Sequence, residues 1–195
     1  MKNHYVILFL LFSVVSSYGQ NVNRLTVNYG IASQVLIQER LEGAGSHDGK
    51  GGNVAGLRYI HGANGKVALE TGLEYSRYKF STTPASYPDI KISPIKENLE
   101  LISIPIYANF TFAKYMFING GLIADFQINK KKTDVVDRQS GIGLGVGIGG
   151  KYDFKRITFS INPCLQQHAV IPFESARSPQ RLLEAGIRFG VGYHF

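Results

Sequence analysis

The chain has one cysteine, Cys164, and no tryptophan, and only 18% of its 195 residues are charged. A lone cysteine excludes a disulfide framework within one copy. No ligand spacing of the usual metal-binding kinds occurs, so no metal centre and no cofactor are expected. Charge this far below the roughly 25% of an average soluble domain argues against a surface wetted on all sides. After residue 19 no apolar run approaches the roughly 20 residues of a membrane helix. What is abundant is glycine (22), tyrosine (11) and phenylalanine (12), a mix that favours strands and tight turns.

The first 19 residues read as a targeting segment. Lys2 gives a positive start, and YVILFLLFSVV (residues 5–15) is an apolar stretch too short to span a bilayer. Small residues at Ser17 and Gly19 predict cleavage before Gln20. The division expected is residues 1–19 as signal peptide and 20–195 as one domain. The rival is an uncleaved anchor. No cysteine stands directly after the apolar stretch, which argues against a lipoprotein. The net charge of +7 falls by one when Lys2 leaves.

Along the rest of the chain polar and apolar residues alternate with period two, the mark of a strand with two unlike faces. Eight segments show it: residues 25–37, 54–61, 66–80, 99–112, 115–128, 141–154, 156–169 and 181–195. In the first, Leu25, Val27, Tyr29, Ile31, Val35 and Ile37 share one face. Connections alternate too. Short turns are expected at residues 62–65, 113–114 and 153–155. Long polar ones are expected at roughly 38–52, 81–98, 129–140 and 170–180. All short turns thus fall at one end of a meander and all long loops at the other. An eight-stranded antiparallel up-and-down transmembrane β-barrel has this layout, with short periplasmic turns and long extracellular loops. Closure gives every backbone group a partner, as hydrocarbon requires. The rival is a soluble sandwich with its charged face in water.

A barrel in lipid turns its apolar face outward. Arg58, Glu70, Glu74, Asp125, Glu184 and Arg188 then point inward as a polar network. The stretch GIGLGVGIGG contains G-x-G-x-x-G, which suggests a dinucleotide loop. Such a loop needs a helix after it, and a turn and another strand follow instead. Gly141, Gly143, Gly145, Gly147 and Gly149 keep the period of two and form a lumen strip without side chains, leaving room for Arg188 and Tyr107. Aromatic belts are expected at both ends, with Tyr78, Phe80 and Phe126 in the long-loop one. Pro105 and Pro163 lie inside strands and should each sit at a bulge or cost a ladder hydrogen bond.

Lys130, Lys131 and Lys132 form a basic run in the third long loop. If that end faces outward, it meets outer-membrane lipid, and lipopolysaccharide phosphates are the natural partner, with protein partners at the loops also possible. Nucleic acid is not expected, because no base-stacking surface joins the basic residues. His168 with Glu174 and Ser175 could form a lipase-like triad, but no spacing rule supports it, and no enzyme is expected. Ring closure at eight strands leaves little room for a pore.

Two motifs carry a resemblance. The final strand LLEAGIRFGVGYHF, ending in Phe195, is similar to the C-terminal signal that outer-membrane barrels present to the barrel-assembly machinery. The stretch ISIPIYANF resembles the Ile-Pro-centred strand of the PorT-like outer-membrane β-barrel family of Bacteroidetes, with OmpA- or OmpX-sized barrels; Ser103 stands where members often have Glu. That resemblance implies an outer-membrane location reached by the Sec pathway and a structural or interaction role. It also implies an alternative, an accessory of a protein-secretion or surface-assembly machine.

Overall fold

The computed structural model describes residues 22–37, 46–83, 95–129, 138–173 and 181–195. Eight strands run in chain order: β1 (Arg24–Ile37), β2 (Ser46–His61), β3 (Val67–Thr83), β4 (Ile95–Phe112), β5 (Met116–Gln127), β6 (Gly141–Phe154), β7 (Ile157–Pro172) and β8 (Arg181–His194). Each pairs antiparallel with the next, and β8 returns to β1, so the barrel is closed. The paired residues Leu25, Tyr59, Thr71, Ile106, Leu122, Leu144, Gln167 and Leu183 lead once around the ring and back to β1 at Val35. The ring therefore closes with a stagger of ten residues, from 25 to 35. Strands staggered in this way tilt by about 40° to the axis.

Alternation decides which face each residue takes. Leu25, Val27, Tyr29, Ile31, Val35 and Ile37 are exposed on the outside of β1, while Arg24, Thr26 and Gln34 are buried inside. β3, β5 and β8 repeat the scheme, with Leu69, Leu73, Leu122, Ile187, Phe189 and Val191 outward. Some three dozen large apolar side chains are exposed while arginines and carboxylates are buried. That is the wall of a membrane-spanning barrel, where lipid takes the place of water outside.

β2, β3 and β4 are longer than the alternation predicts, because the pattern inverts partway along them. In β3 the outward series Leu69, Leu73, Tyr75 gives way to Arg77 and Lys79, and the inward series becomes Tyr78 and Phe80. In β4, Asn98 is exposed while Leu99 and Leu101 are buried. Apolar-out periodicity ends there, but the ladders continue to Ser46↔Thr83 and Thr82↔Ile95. Tyr78 and Phe80 therefore do not belong to an aromatic belt. They point into the barrel, and among the described residues Phe126 and Phe173 are exposed rings at that end, 5.9 Å apart. At the other end Phe110, Tyr115, Tyr152, Phe154, Tyr193 and Phe195 are exposed.

The prolines interrupt ladders without shifting them. β3–β4 pairing steps from Thr71↔Ile106 to Glu74↔Ser103 in one register, skipping Pro105. β6–β7 steps from Gly147↔Cys164 to Gly150↔Ile161, skipping Pro163. Neither proline sits at a bulge, so the missing N–H is accommodated by lost pairing. The true bulge of β7 lies higher. Between Ile142↔Ile171 and Leu144↔Gln167, Gly143 faces His168, Ala169 and Val170, and Ala169 is left-handed at φ 48°. The turn expected at residues 153–155 lies one step on, at Lys155–Arg156, between the paired Phe154 and Ile157. The turn expected at residues 113–114 is one residue longer: Ala113, Lys114 and Tyr115 lie between the paired Phe112 and Met116, and Ala113 and Lys114 both have positive φ (47° and 61°).

Candidate functional site

The barrel interior holds the chemistry, and it is organised in tiers. The middle tier is a chain of charges. Arg58 on β2 contacts Glu70 and Glu74 on β3, each at 2.7 Å. Arg188 on β8 reaches the same Glu74 at 3.3 Å and Glu184 at 2.9 Å. Glu184 also accepts from the Tyr78 hydroxyl and lies 3.4 Å from Nε2 of His168. The other ring nitrogen of His168 is 3.0 Å from Asp125 Oδ1, which accepts the Ser103 hydroxyl at 2.6 Å. Glu70 accepts from Asn109 at 2.8 Å and Asn119 at 3.1 Å. Residues from six strands thus form one connected array. Removing one member would strand a buried charge.

Tyr107 crosses the lumen. Its hydroxyl accepts from Gln166 at 3.1 Å, and the Arg58 guanidinium lies 5.2 Å from its ring centre. Gly145 faces it: a β-carbon there would stand 2.8 Å from Tyr107 Cζ and closer still to the hydroxyl. Gly147 faces Asn119 and Asn162, Gly149 faces Phe117, and Gly143 faces Asp125. Gly141 lies against the backbone of Ile171 and Pro172. The five glycines are one inward wall, followed by a hairpin, which excludes a dinucleotide loop. Arg188 does not take its room from this strip. A β-carbon at Gly30 would meet its Cγ at 2.9 Å, and one at Gly186 would meet its Nη1 at 3.2 Å, so β1 and β8 supply the space.

Above the charges, toward the long connections, the interior turns apolar. Ala32, Leu36, Val54, Tyr78, Phe80, Leu99, Leu101 and Leu182 form a buried cluster. Gln139 is buried beside Leu182, whose amide it accepts at 3.1 Å. Period-two reading assigned every inward position to a polar lumen and missed this plug. The inversion in β3, where Arg77 and Lys79 flank Tyr78, was the available signal. Below the charges lies a cavity of about 30 Å³ lined by Arg24, Thr26, Asn28, Asn162 and their neighbours.

His168 is a member of the array, held between two carboxylates, and the bulge at Ala169 places it there. Glu174 and Ser175 lie outside the described residues, as do the signal segment and the Lys130–Lys131–Lys132 run. Phe195 is exposed and exchanges two backbone hydrogen bonds of 2.9 Å with Asn23.

A closed eight-strand meander with an apolar outside and a charged inside has counterparts among solved structures. OprG of Pseudomonas aeruginosa superposes with a TM-score of 0.62 at 9% identity, over 90% of this chain and 96% of that one. Ail of Yersinia pestis, solved with the heparin analogue sucrose octasulfate, gives 0.52 at 12% identity, over 90% and 99%. The fold is that of the small outer-membrane β-barrels. At these identities the likeness is one of architecture. No family model matches the sequence, and no curated protein is similar to it.

Proposed function

We propose that this protein is an integral outer-membrane barrel with a structural or interaction role, working at its long-loop end rather than through its lumen. The observation that carries this reading is the filled interior: an ion array spanning six strands, capped by an apolar plug. Such an interior leaves a rigid stalk presenting its connections. On this reading no enzymatic activity is assigned. Residues 1–19 direct export and are cleaved on translocation, and the strand ending at Phe195 engages the barrel-assembly machinery. The long connections face outside, where Lys130, Lys131 and Lys132 meet lipopolysaccharide phosphates. Arg77 and Lys79, turned outward just beyond the apolar band, extend the same basic collar. A barrel of this fold, Ail, has been captured with a sulfated polyanion. The test is retention of purified lipopolysaccharide by the detergent-solubilised barrel. Replacing the three lysines and Lys79 with glutamine should weaken it, and retention unchanged by the replacements would remove this reading.

A second reading rests on the Ile-Pro strand ISIPIYANF: a PorT-like accessory of a secretion or surface-assembly machine. Deleting the gene and comparing secreted and surface proteins discriminates. An unchanged profile excludes that role.

A further inference from the structure

Arg24 begins β1 and points into the lumen below the ion array, with its side chain buried. Its Nε and one terminal nitrogen, Nη1, have no hydrogen-bond partner, and among the described residues no carboxylate forms an ion pair with it. A guanidinium cannot shed its proton to escape burial. An unpaired buried charge is among the costliest features a fold can carry. The two carboxylates near enough to act on it are Asp153 and Glu70. Both are engaged elsewhere. Glu70 takes Arg58, Asn109 and Asn119, and Asp153 takes Thr158 at 2.5 Å with His194 at 3.4 Å.

Two further unpartnered atoms lie at the same place. Arg24, Thr26 and Asn162 all line the cavity of about 30 Å³, and Thr26 Oγ1 and Asn162 Oδ1 are also without partners. Two more cations, Arg58 and Arg188, border it, against the single carboxylate of Glu70. Asn28, Asn109, Asn119, Ser160, Ile60 and Phe117 complete the lining, with the amides of Asn109 and Asn119 turned to Glu70. A volume near 30 Å³ holds a monatomic ion or two waters. We propose that this cavity is a binding site for one small monatomic anion of halide type, held by Nε and Nη1 of Arg24 and the Thr26 hydroxyl. The ion supplies the counter-charge that the fold withholds from Arg24. The site lies in the lumen toward the short turns, so it is separate from the basic loops at the opposite end.

The experiment uses the full folded barrel in detergent. Unfolding midpoints are measured in sodium chloride and in sodium gluconate at matched ionic strength, gluconate being too large to enter. Chloride should shift the midpoint upward, saturating with concentration, and Arg24→Met should abolish the difference between the salts. A crystal grown in bromide should show an anomalous peak within hydrogen-bond distance of Arg24 Nε and Nη1. Should Arg24→Met fail to fold, the wild-type salt comparison and the anomalous map still decide. Equal midpoints in the two salts, or water density without an anomalous peak at Arg24, would overturn the assignment.

Discussion

Replacing Gly145 with alanine adds one methyl group to the inner wall of β6. That β-carbon would sit 2.8 Å from Cζ of Tyr107, with the hydroxyl nearer and Ile123 Cδ1 at 3.0 Å. Tyr107 is buried and cannot swing to solvent. Overpacking of this kind costs about 1–3 kcal/mol. Displacing the ring also breaks the 3.1 Å hydrogen bond from Gln166, worth about 1 kcal/mol. It disturbs the stacking of Arg58 at 5.2 Å, worth about 1–2 kcal/mol when desolvated. Removing a glycine from a strand returns roughly 0.5–1 kcal/mol. The net loss is about 2–5 kcal/mol. With a urea dependence of about 2 kcal/mol per molar, the midpoint falls by about 1–2.5 M. The assay is urea unfolding in micelles, with folded barrel read as the heat-modifiable gel band. Val146→Leu, one residue on but facing lipid, is the control and should change stability by less than about 0.5 kcal/mol. Adding Tyr107→Phe to Gly145→Ala removes the atom struck first and should restore part of the loss. Equal tolerance at Gly145 and Val146 would refute the reasoning.

Arg188→Met takes one cation from both Glu74 and Glu184, leaving Arg58 alone on the first, and should cost about 3–5 kcal/mol in the same assay, partly recovered by adding Glu184→Gln. Tyr78→Phe removes a donor to the buried Glu184 and should cost about 1.5–3 kcal/mol; an unchanged midpoint would show that the carboxylate is satisfied without it. Arg77→Gln breaks an exposed 3.5 Å pair with Glu100 and should change stability by less than about 1 kcal/mol. In planar bilayers the folded protein should not conduct above background, and steady single-channel steps would contradict a filled lumen.

The alternation of apolar and polar residues, read strand by strand, was enough to determine the architecture. It identified eight strands, the face each turns to lipid, and the inward placement of Arg58, Glu70, Glu74, Asp125, Glu184 and Arg188. This works because period two is a local property: each residue's face follows from its neighbours'. The same pattern turned GIGLGVGIGG from an apparent nucleotide loop into a wall. Where two environments exchange along one strand, the rule loses its meaning. The upper parts of β2, β3 and β4 leave the apolar band, so Tyr78 and Phe80 go inward while Arg77 and Lys79 face out. Only ring closure decided the rest. The ten-residue stagger sets which strands' side chains meet across the lumen: Tyr107 against Gly145, Arg188 against Glu74, Tyr78 against Glu184. Those pairings join residues far apart in the chain, and no local period encodes them. The exposure of Arg24 to its lumen cavity is of the same kind: the sequence supplies a cation at the head of a strand, and the packed barrel alone decides that, among the described residues, no carboxylate forms an ion pair with it.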